Sequence, residues 1–224
     1  KFANKAVSVV EGKGEIPKET WYRLLMALYV DKEDFNMATK TAEKIAVNYP
    51  KPKNIAQLAG LYGMTGKEKE QRGLLDALNV MGAITKESEA RNLASLYQSA
   101  EAPYLAARVL EKHLKTGALS RSTKNLEYLG AALRQSQETD RSIPIMEEAA
   151  GKSSDGRIYA QLSALYLDAE DYKKSIDAAN KSVKKGGLKN PGEPHFYRGN
   201  AEMQLKRYGD SIISLKKALK DERF

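Results

Sequence analysis

The sequence predicts an all-α chain, a solenoid of antiparallel helix pairs, and three observations predict it. Related segments recur six times at intervals of 34, 35, 36, 33 and 36 residues, counted between Leu24, Leu58, Leu93, Leu129, Leu162 and Arg198. Within each segment apolar residues follow one helical face, as in Leu24/Leu28, Leu58/Tyr62, Leu93/Tyr97, Leu129/Leu133 and Leu162/Tyr166, with Glu202 as the one departure. Turn-formers separate the segments. A period near 34 residues with this pattern means that each unit cannot bury its apolar face alone and stacks on its neighbours.

Residues 1–12 read as the trailing helix of a repeat whose first helix is not in the sequence. Full copies follow at about 18–50, 52–84, 87–118, 123–151, 156–188 and 192–220, in a single array over 1–224. The residue after each anchor is Leu25, Ala59, Ala94, Gly130, Ser163 or Gly199, and five of the six are small, as closely crossing helices require. Second helices carry their own stripes, among them Ala38/Ala42/Ile45, Leu75/Leu78, Ala106/Leu110, Ile143/Met146/Ala149, Ile176/Ala179/Val183 and Ile212/Leu215/Ala218. Gly66-Lys67 and Ala169-Glu170-Asp171 supply inter-helix turns, and Pro50 ends the first pair because proline cannot continue a helix. Pro144 is expected near the start of its helix, where a missing N–H costs little. The chain begins without Met or a signal peptide, and Asp221-Glu222-Arg223-Phe224 follows the sixth pair with no polar capping helix. Both ends read as those of a piece of a longer protein.

Composition narrows the function. The 224 residues are 42% hydrophobic and hold no cysteine, which excludes disulfides, thiolate metal sites and cysteine nucleophiles. No run of about 18 apolar residues exists to span a membrane. His113 and His195 fall on repeat-packing positions, far apart in sequence. Gly60 to Lys67 resembles a phosphate loop, but Leu61 and Glu68 stand where the loop needs glycine and Ser/Thr. The expectation is therefore a binding protein, not an enzyme, with no cofactor and no metal. The net charge of +8 favours an acidic protein or peptide partner. It is split as 15 basic against 10 acidic residues in 152–224 and 22 against 19 elsewhere. Nucleic acid is disfavoured, because the lysine pairs Lys173/Lys174 and Lys216/Lys217 fall on exposed second-helix faces and no base-reading set repeats.

On these residues the chain resembles a tetratricopeptide repeat (TPR) protein along nearly all its length. Trp21, Leu24, Leu28, Phe35, Ala38, Ala42 and Pro50 match the family's strongest positions in the first copy, with one extra residue allowed in its turn. Gly199, Tyr208, Leu215 and Ala218 match in the last. Thr139, Pro103 and His113 depart from the pattern. The resemblance implies a right-handed α-α superhelix binding a protein segment in a concave groove lined by first helices. Carried over, the groove positions give an exposed cluster of Tyr22, Met26, Tyr29 and Met64. They also give a polar centre of Arg91, Gln98 and Arg134, and Phe196, Asn200 and Met203 in the last copy. Gly60, Gly63, Ala131, Ala160 and Ala164 would leave room for a peptide backbone. The N-terminal cluster has a second reading, as a face that packs on an upstream repeat missing from the sequence. Chaperone-tail modules of the family clamp a carboxylate with paired Lys and Asn, and no fifth/ninth pair here fits that pattern.

The Lys-rich helices and the loop Gly186-Gly187-Leu188-Lys-Asn-Pro191-Gly-Glu-Pro194 are similar to TPR proteins that accompany TonB/ExbB/ExbD systems of Gram-negative bacteria. That resemblance implies a periplasmic scaffold contacting TonB-type energy-transduction proteins. The alternatives are a cytoplasmic assembly scaffold and a basic helical-repeat protein on nucleic acid.

Overall fold

The computed structural model describes residues 2–221, so Glu222, Arg223 and Phe224 of the expected chain end lie outside the described residues. Thirteen α-helices are described: α1 (Phe2–Gly12), α2 (Glu19–Asp31), α3 (Phe35–Asn48), α4 (Pro52–Met64), α5 (Glu68–Val80), α6 (Glu87–Ser99), α7 (Pro103–Thr116), α8 (Thr123–Gln135), α9 (Thr139–Lys152), α10 (Arg157–Asp168), α11 (Tyr172–Lys185), α12 (Glu193–Gln204) and α13 (Tyr208–Ala218). No strand occurs among the described residues. The fold is all-α and built of helix pairs: α2 with α3, α4 with α5, α8 with α9, α10 with α11 and α12 with α13. Two compact units hold them. The first comprises α1–α6 and ends at Ala100, and the second begins at Glu101 and comprises α7–α13. The division falls between the two helices of the third predicted copy.

Local chemistry sets the helix starts. Asp34, Ser122 and Asp171 accept hydrogen bonds from the backbone N–H of Met37 (3.1 Å), Asn125 (3.4 Å) and Lys174 (3.2 Å), capping α3, α8 and α11. Pro52 and Pro103 open α4 and α7, where the missing N–H is free of cost. Pro144 differs from expectation. It sits in the body of α9, past the first turn, and forgoes a bond to the carbonyl four residues back on an exposed side of the helix.

The turns inside the pairs share one device. Glu33, Gly66, Gln137, Glu170 and Lys206 have left-handed backbone there, and Glu101, which follows α6, has it too, with φ from 55° to 72°. The next residue's N–H reaches back to the last turn of the first helix, as in Asp34→Tyr29 (2.9 Å), Lys67→Tyr62 (2.9 Å) and Asp171→Tyr166 (2.8 Å). Five of these six residues are not glycine, so the turn geometry is imposed against their own preference.

That device fixes the register and corrects the first copy. Counting back from Glu33 by the interval seen in the other turns lands on Met26, not Leu25, as the partner of Ala59, Ala94, Gly130, Ser163 and Gly199. Twelve residues after Met26, Ala59, Gly130, Ser163 and Gly199 stand Ala38, Gln71, Ser142, Ser175 and Ser211 on the facing helices, and the extra turn residue allowed for the first copy disappears. The crossings are close. Ser142 Oγ donates to the Gly130 carbonyl, Ser211 Oγ to that of Gly199, and Ser163 and Ser175 exchange hydroxyl-to-carbonyl bonds, each at 2.8 Å. A Cβ on Gly130 would stand 2.4 Å from the Met146 sulfur. With the register slipped by one, Trp21, Leu24 and Leu28 point outward, 39%, 56% and 39% exposed. Tyr22, Leu25 and Met26 instead join Val7, Ala38, Ala42, Ile45, Leu58 and Leu61 in the core of the first unit.

Candidate functional site

In the first unit, the face of α2 and α4 toward the start of α6 forms a cleft of about 740 Å³. Arg23, Lys53 and Lys86 supply its cations, Ala56 its small floor, and Gln57, Thr85 and Glu89 its polar walls. Arg23 is held in place. Its Nε and Nη2 donate to Glu19 Oε1 at 3.0 and 2.9 Å, its Nη1 to Gln57 Oε1 at 3.5 Å, and its Nη2 also to Asn54 Oδ1. Lys51 Nζ lies 2.6 Å from the other Glu19 oxygen, and that bond, with those from Asn54 and Arg23, pulls the Glu19 carboxyl down to about 2. Glu19 is therefore charged at any ordinary pH, and its single negative charge offsets one of the two positive charges it binds, those of Lys51 and Arg23. Lys53 stays exposed, and Lys86 has only a loose approach to Glu89 at 3.9 Å. The cleft offers exposed ammonium groups over a floor without bulk, which suits an anionic, extended ligand.

The predicted site residues divide between the units, six in the first and four in the second. Tyr22 and Met26 are not exposed: they are 2% and 4% accessible. The one-residue slip turns them onto α1 and α3, where Tyr22 Oη donates to Glu11 Oε1 at 2.7 Å. Burial and that bond push the Tyr22 hydroxyl pKa upward. Tyr29 is half-buried against the same core, and Met64 alone of the four stands free at 65% exposure. The expected exposed cluster therefore does not exist, and the alternative of a face packed on a missing upstream repeat does not hold for Tyr22 and Met26 either, because α1 and α3 cover them. The corrected register places Arg23, which sequence reasoning passed over, at the position given to Tyr22; counting from Met26 would have found it. Arg91 and Gln98 lie half-buried on α6.

In the second unit Arg134 is exposed on α8, with its Nη2 donating to Asp168 Oδ2 at 2.8 Å. A parallel bridge joins Arg157 to Glu127, whose Oε1 also accepts from Gln161 Nε2 at 3.2 Å. The Arg157 bond holds the Glu127 carboxyl below its usual range. Ala160 and Ala164, expected to leave room for a ligand, are buried, on a helix that packs against α9, α11 and α12. Their counterparts Phe196 and Asn200 on α12, with Met203 beyond them, stay accessible; Asn200 turns its amide back onto the Phe196 carbonyl at 2.9 Å. Gly63 offers no space either, since the Gln71 amide lies 2.6 Å from where its Cβ would stand.

The other side of the first helices carries a feature the sequence reading missed. Tyr62 Oη donates to Glu43 at 3.0 Å, Tyr166 Oη to Glu147, and the Tyr97 hydroxyl is bonded to Asp76. Burial and that bond raise Tyr97 to about 12. Lys67 and Lys174 cover the Tyr62 and Tyr166 rings at 5.2 and 5.4 Å. Each pair ties a first helix to the second helix before it. The recurrence of a carboxylate 19 to 21 residues ahead of each tyrosine was the available signal.

Solved structures of MamA are similar to this chain. One superposes with a TM-score of 0.61 at 18% identity over 74% of this chain and 95% of that one. Another gives 0.54 at 18% identity over 92% of each. At that identity the likeness establishes the helix-pair fold. No family model matches the sequence, and no curated protein does.

Proposed function

We propose that this chain is a non-enzymatic scaffold that binds an acidic, extended segment of a partner protein in the cleft of its first unit. The observation that carries the reading is the cleft itself, with Arg23, Lys53 and Lys86 above a floor at Ala56. Main-chain contact on the small floor gives affinity to any extended segment, and the cations select for carboxylates. The test is titration of the full chain with a fluorescein-labelled Glu/Asp-rich peptide and its Lys-substituted twin at two salt concentrations. Binding of the acidic peptide, weakened about tenfold or more by Lys53→Glu with Lys86→Glu and weakened by salt, supports the reading. Equal binding of both peptides, or indifference to the two substitutions, refutes it.

A narrower reading makes the partner a TonB-type energy-transduction protein and the compartment the periplasm. Its support is the resemblance of the 186–194 loop and the Lys-rich second helices. In the fold this loop is tied down, since Gly156 N–H donates to the Gly186 carbonyl at 2.8 Å. Capture from separated periplasmic and cytoplasmic extracts tests it: recovery of ExbB, ExbD or a TonB-type protein supports it, and recovery of cytoplasmic proteins alone sinks it. Nucleic acid has only the net charge in its favour, and several lysines of the second unit are already paired, as Lys174 with Asp171 and Lys181 with Asp177.

A further inference from the structure

The second unit holds a cleft of about 350 Å³ between α9, α10 and α11, helices that α8 precedes and α12 follows within the same unit. On α10 it is lined by Leu162 and by Tyr159 and Tyr166, two turns apart; α9 contributes Glu147 and α11 the small Ala178. Cations already sit on both rings. Lys174 Nζ lies 5.4 Å from the Tyr166 centroid, and Lys185 Nζ lies 5.4 Å from that of Tyr159. The positive groups around the cleft are engaged. Lys174 also pairs with Asp171 at 3.1 Å, Lys181 with Asp177 at 2.7 Å, and Lys185 donates to the Ala150 carbonyl at 3.2 Å. The acceptors are less so: Glu147 takes the Tyr166 hydroxyl on Oε1, Asp177 faces Lys181 through Oδ2, and among the described residues no hydrogen bond engages Glu147 Oε2, Asp177 Oδ1 or Tyr159 Oη. The field favours positive charge. The bond to Asp177 raises the Lys181 pKa above the usual lysine value, with further help from the charges of Asp177, Tyr159 and Glu147.

The first unit carries a counterpart. In the register set by Met26, Tyr22, Tyr29 and Lys44 correspond to Tyr159, Tyr166 and Lys181, and only these two copies have tyrosine at both first-helix positions. That cleft is smaller, about 140 Å³, and a lysine of the chain closes it: Lys44 spans both Glu11 oxygens at 2.7 and 2.8 Å. Lys40 stands there in the place of Asp177, so the second carboxylate belongs to the second-unit cleft alone. We infer that the second-unit cleft binds an arginine side chain of a partner protein, laid against Tyr159 and bonded to Glu147 and Asp177. A planar guanidinium stacks on an aromatic ring and spreads five N–H donors over separate acceptors, which a compact ammonium cannot do. Lys174 and Lys181, 62% and 55% exposed, swing into water at little cost when it enters. The cleft is lined by side chains from helix interiors, so it takes the side chain and leaves the partner's backbone outside. It lies in the other unit from the cleft at Arg23 and Lys86, takes the opposite charge, and does not depend on that reading.

The test is a titration of the full chain, labelled with 13C-tyrosine, with the capped peptide acetyl-Gly-Arg-Gly-amide, followed by NMR. The Tyr159 ring signal is identified by its loss in Tyr159→Phe. That signal should shift and saturate with the arginine peptide and stay still with a twin carrying citrulline, which has the same shape without the charge. Asp177→Asn, at an exposed position and checked for helicity by circular dichroism, should weaken binding about tenfold. Lys181→Gln removes a competing cation and should tighten binding about twofold or more. Lys184→Gln makes the same charge change on the same helix outside the cleft and should leave the affinity as it was. No saturable shift of Tyr159, or an equal shift with the citrulline twin, overturns the proposal. Equal tightening by Lys181→Gln and Lys184→Gln reduces the effect to net charge and overturns it too. Free arginine binding more tightly than the capped peptide makes the ligand a small molecule and overturns the assignment to a partner protein.

Discussion

Tyr22 separates a binding anchor from a core residue, and its removal can be worked through from the structure. The ring is 2% exposed among Val7, Leu25, Met26, Ala38 and Ala42, and its hydroxyl donates to Glu11 at 2.7 Å. Tyr22→Phe keeps the packing and deletes one hydrogen bond to a charged acceptor. Such bonds contribute about 1.5–3 kcal/mol, and because Lys44 still holds both Glu11 oxygens at 2.7 and 2.8 Å, the loss should lie near the lower figure. Tyr22→Ala also opens a cavity and should cost about 3–5 kcal/mol, a large share of the stability of a unit this size. The Glu11 carboxyl is held below its ordinary value, first by Lys44 and then by the Tyr22 hydroxyl. A depressed carboxylate stabilises the fold above its unfolded value, and that contribution is lost as pH falls through the folded one. The gap between wild type and Tyr22→Phe should therefore be full at pH 7 and narrow in acid, below the ordinary carboxylate range. Urea denaturation followed by circular dichroism at both pH values measures it. If Tyr22→Ala unfolds at the wild-type midpoint while peptide binding weakens, the residue is an exposed anchor after all and the corrected register is wrong.

Other substitutions probe the same register. Gly156→Ala places a Cβ 2.1 Å from the Ser182 carbonyl oxygen, which is backbone and cannot swing away, so a thermal melt should show a clear drop; Gly60→Ala meets nothing within 4 Å and should raise stability by about 0.5–1 kcal/mol through helix propensity. Glu170→Gly relieves a left-handed residue at φ 60° and should stabilise by roughly 0.5–1 kcal/mol in a urea titration, whereas the same change at helical Gln161 should destabilise by a similar amount. Burial depresses both histidines, His113 with help from Lys112 and His195 with help from Arg198 and Lys217. The unfolded chain takes up protons below about pH 6.5 while the folded one resists, so stability should fall as pH drops through that value, by at most about 1.4 kcal/mol per pH unit for each histidine. His113→Leu should flatten that slope in chemical denaturation between pH 7 and 5.

The helix-pair fold was legible because it rests on periodicity that survives substitution. Leu58/Ala59, Leu93/Ala94, Leu129/Gly130 and Leu162/Ser163 each set a large buried residue beside a small one, and the alternation is plain in the sequence. The first copy misled for a physical reason. Trp21, Leu24 and Leu28 form as good an apolar stripe as Tyr22, Leu25 and Met26, so α2 is apolar on two faces and periodicity alone cannot choose the inward one. The turn decides it, because the left-handed residue must close the Asp34→Tyr29 bond, and Glu33 gives no compositional sign of that conformation. Had glycine stood there, as Gly66 does in the next copy, the slip would have been visible.

The site was less legible than the fold because exposure in a stack of helices is a property of the neighbour, not of the residue. Ala160 and Phe196 occupy equivalent positions, yet the alanine, on a helix that packs against α9, α11 and α12, is buried and the phenylalanine is accessible. The same argument in reverse makes the α1/α2 face informative. Leucine at 28 is unremarkable where each counterpart is buried, and the leucine at 24 is out of place only because its counterparts are polar or tyrosine. An apolar residue exposed at a position that the other copies bury shows that burial there is supplied by the neighbouring helices and not by the residue itself.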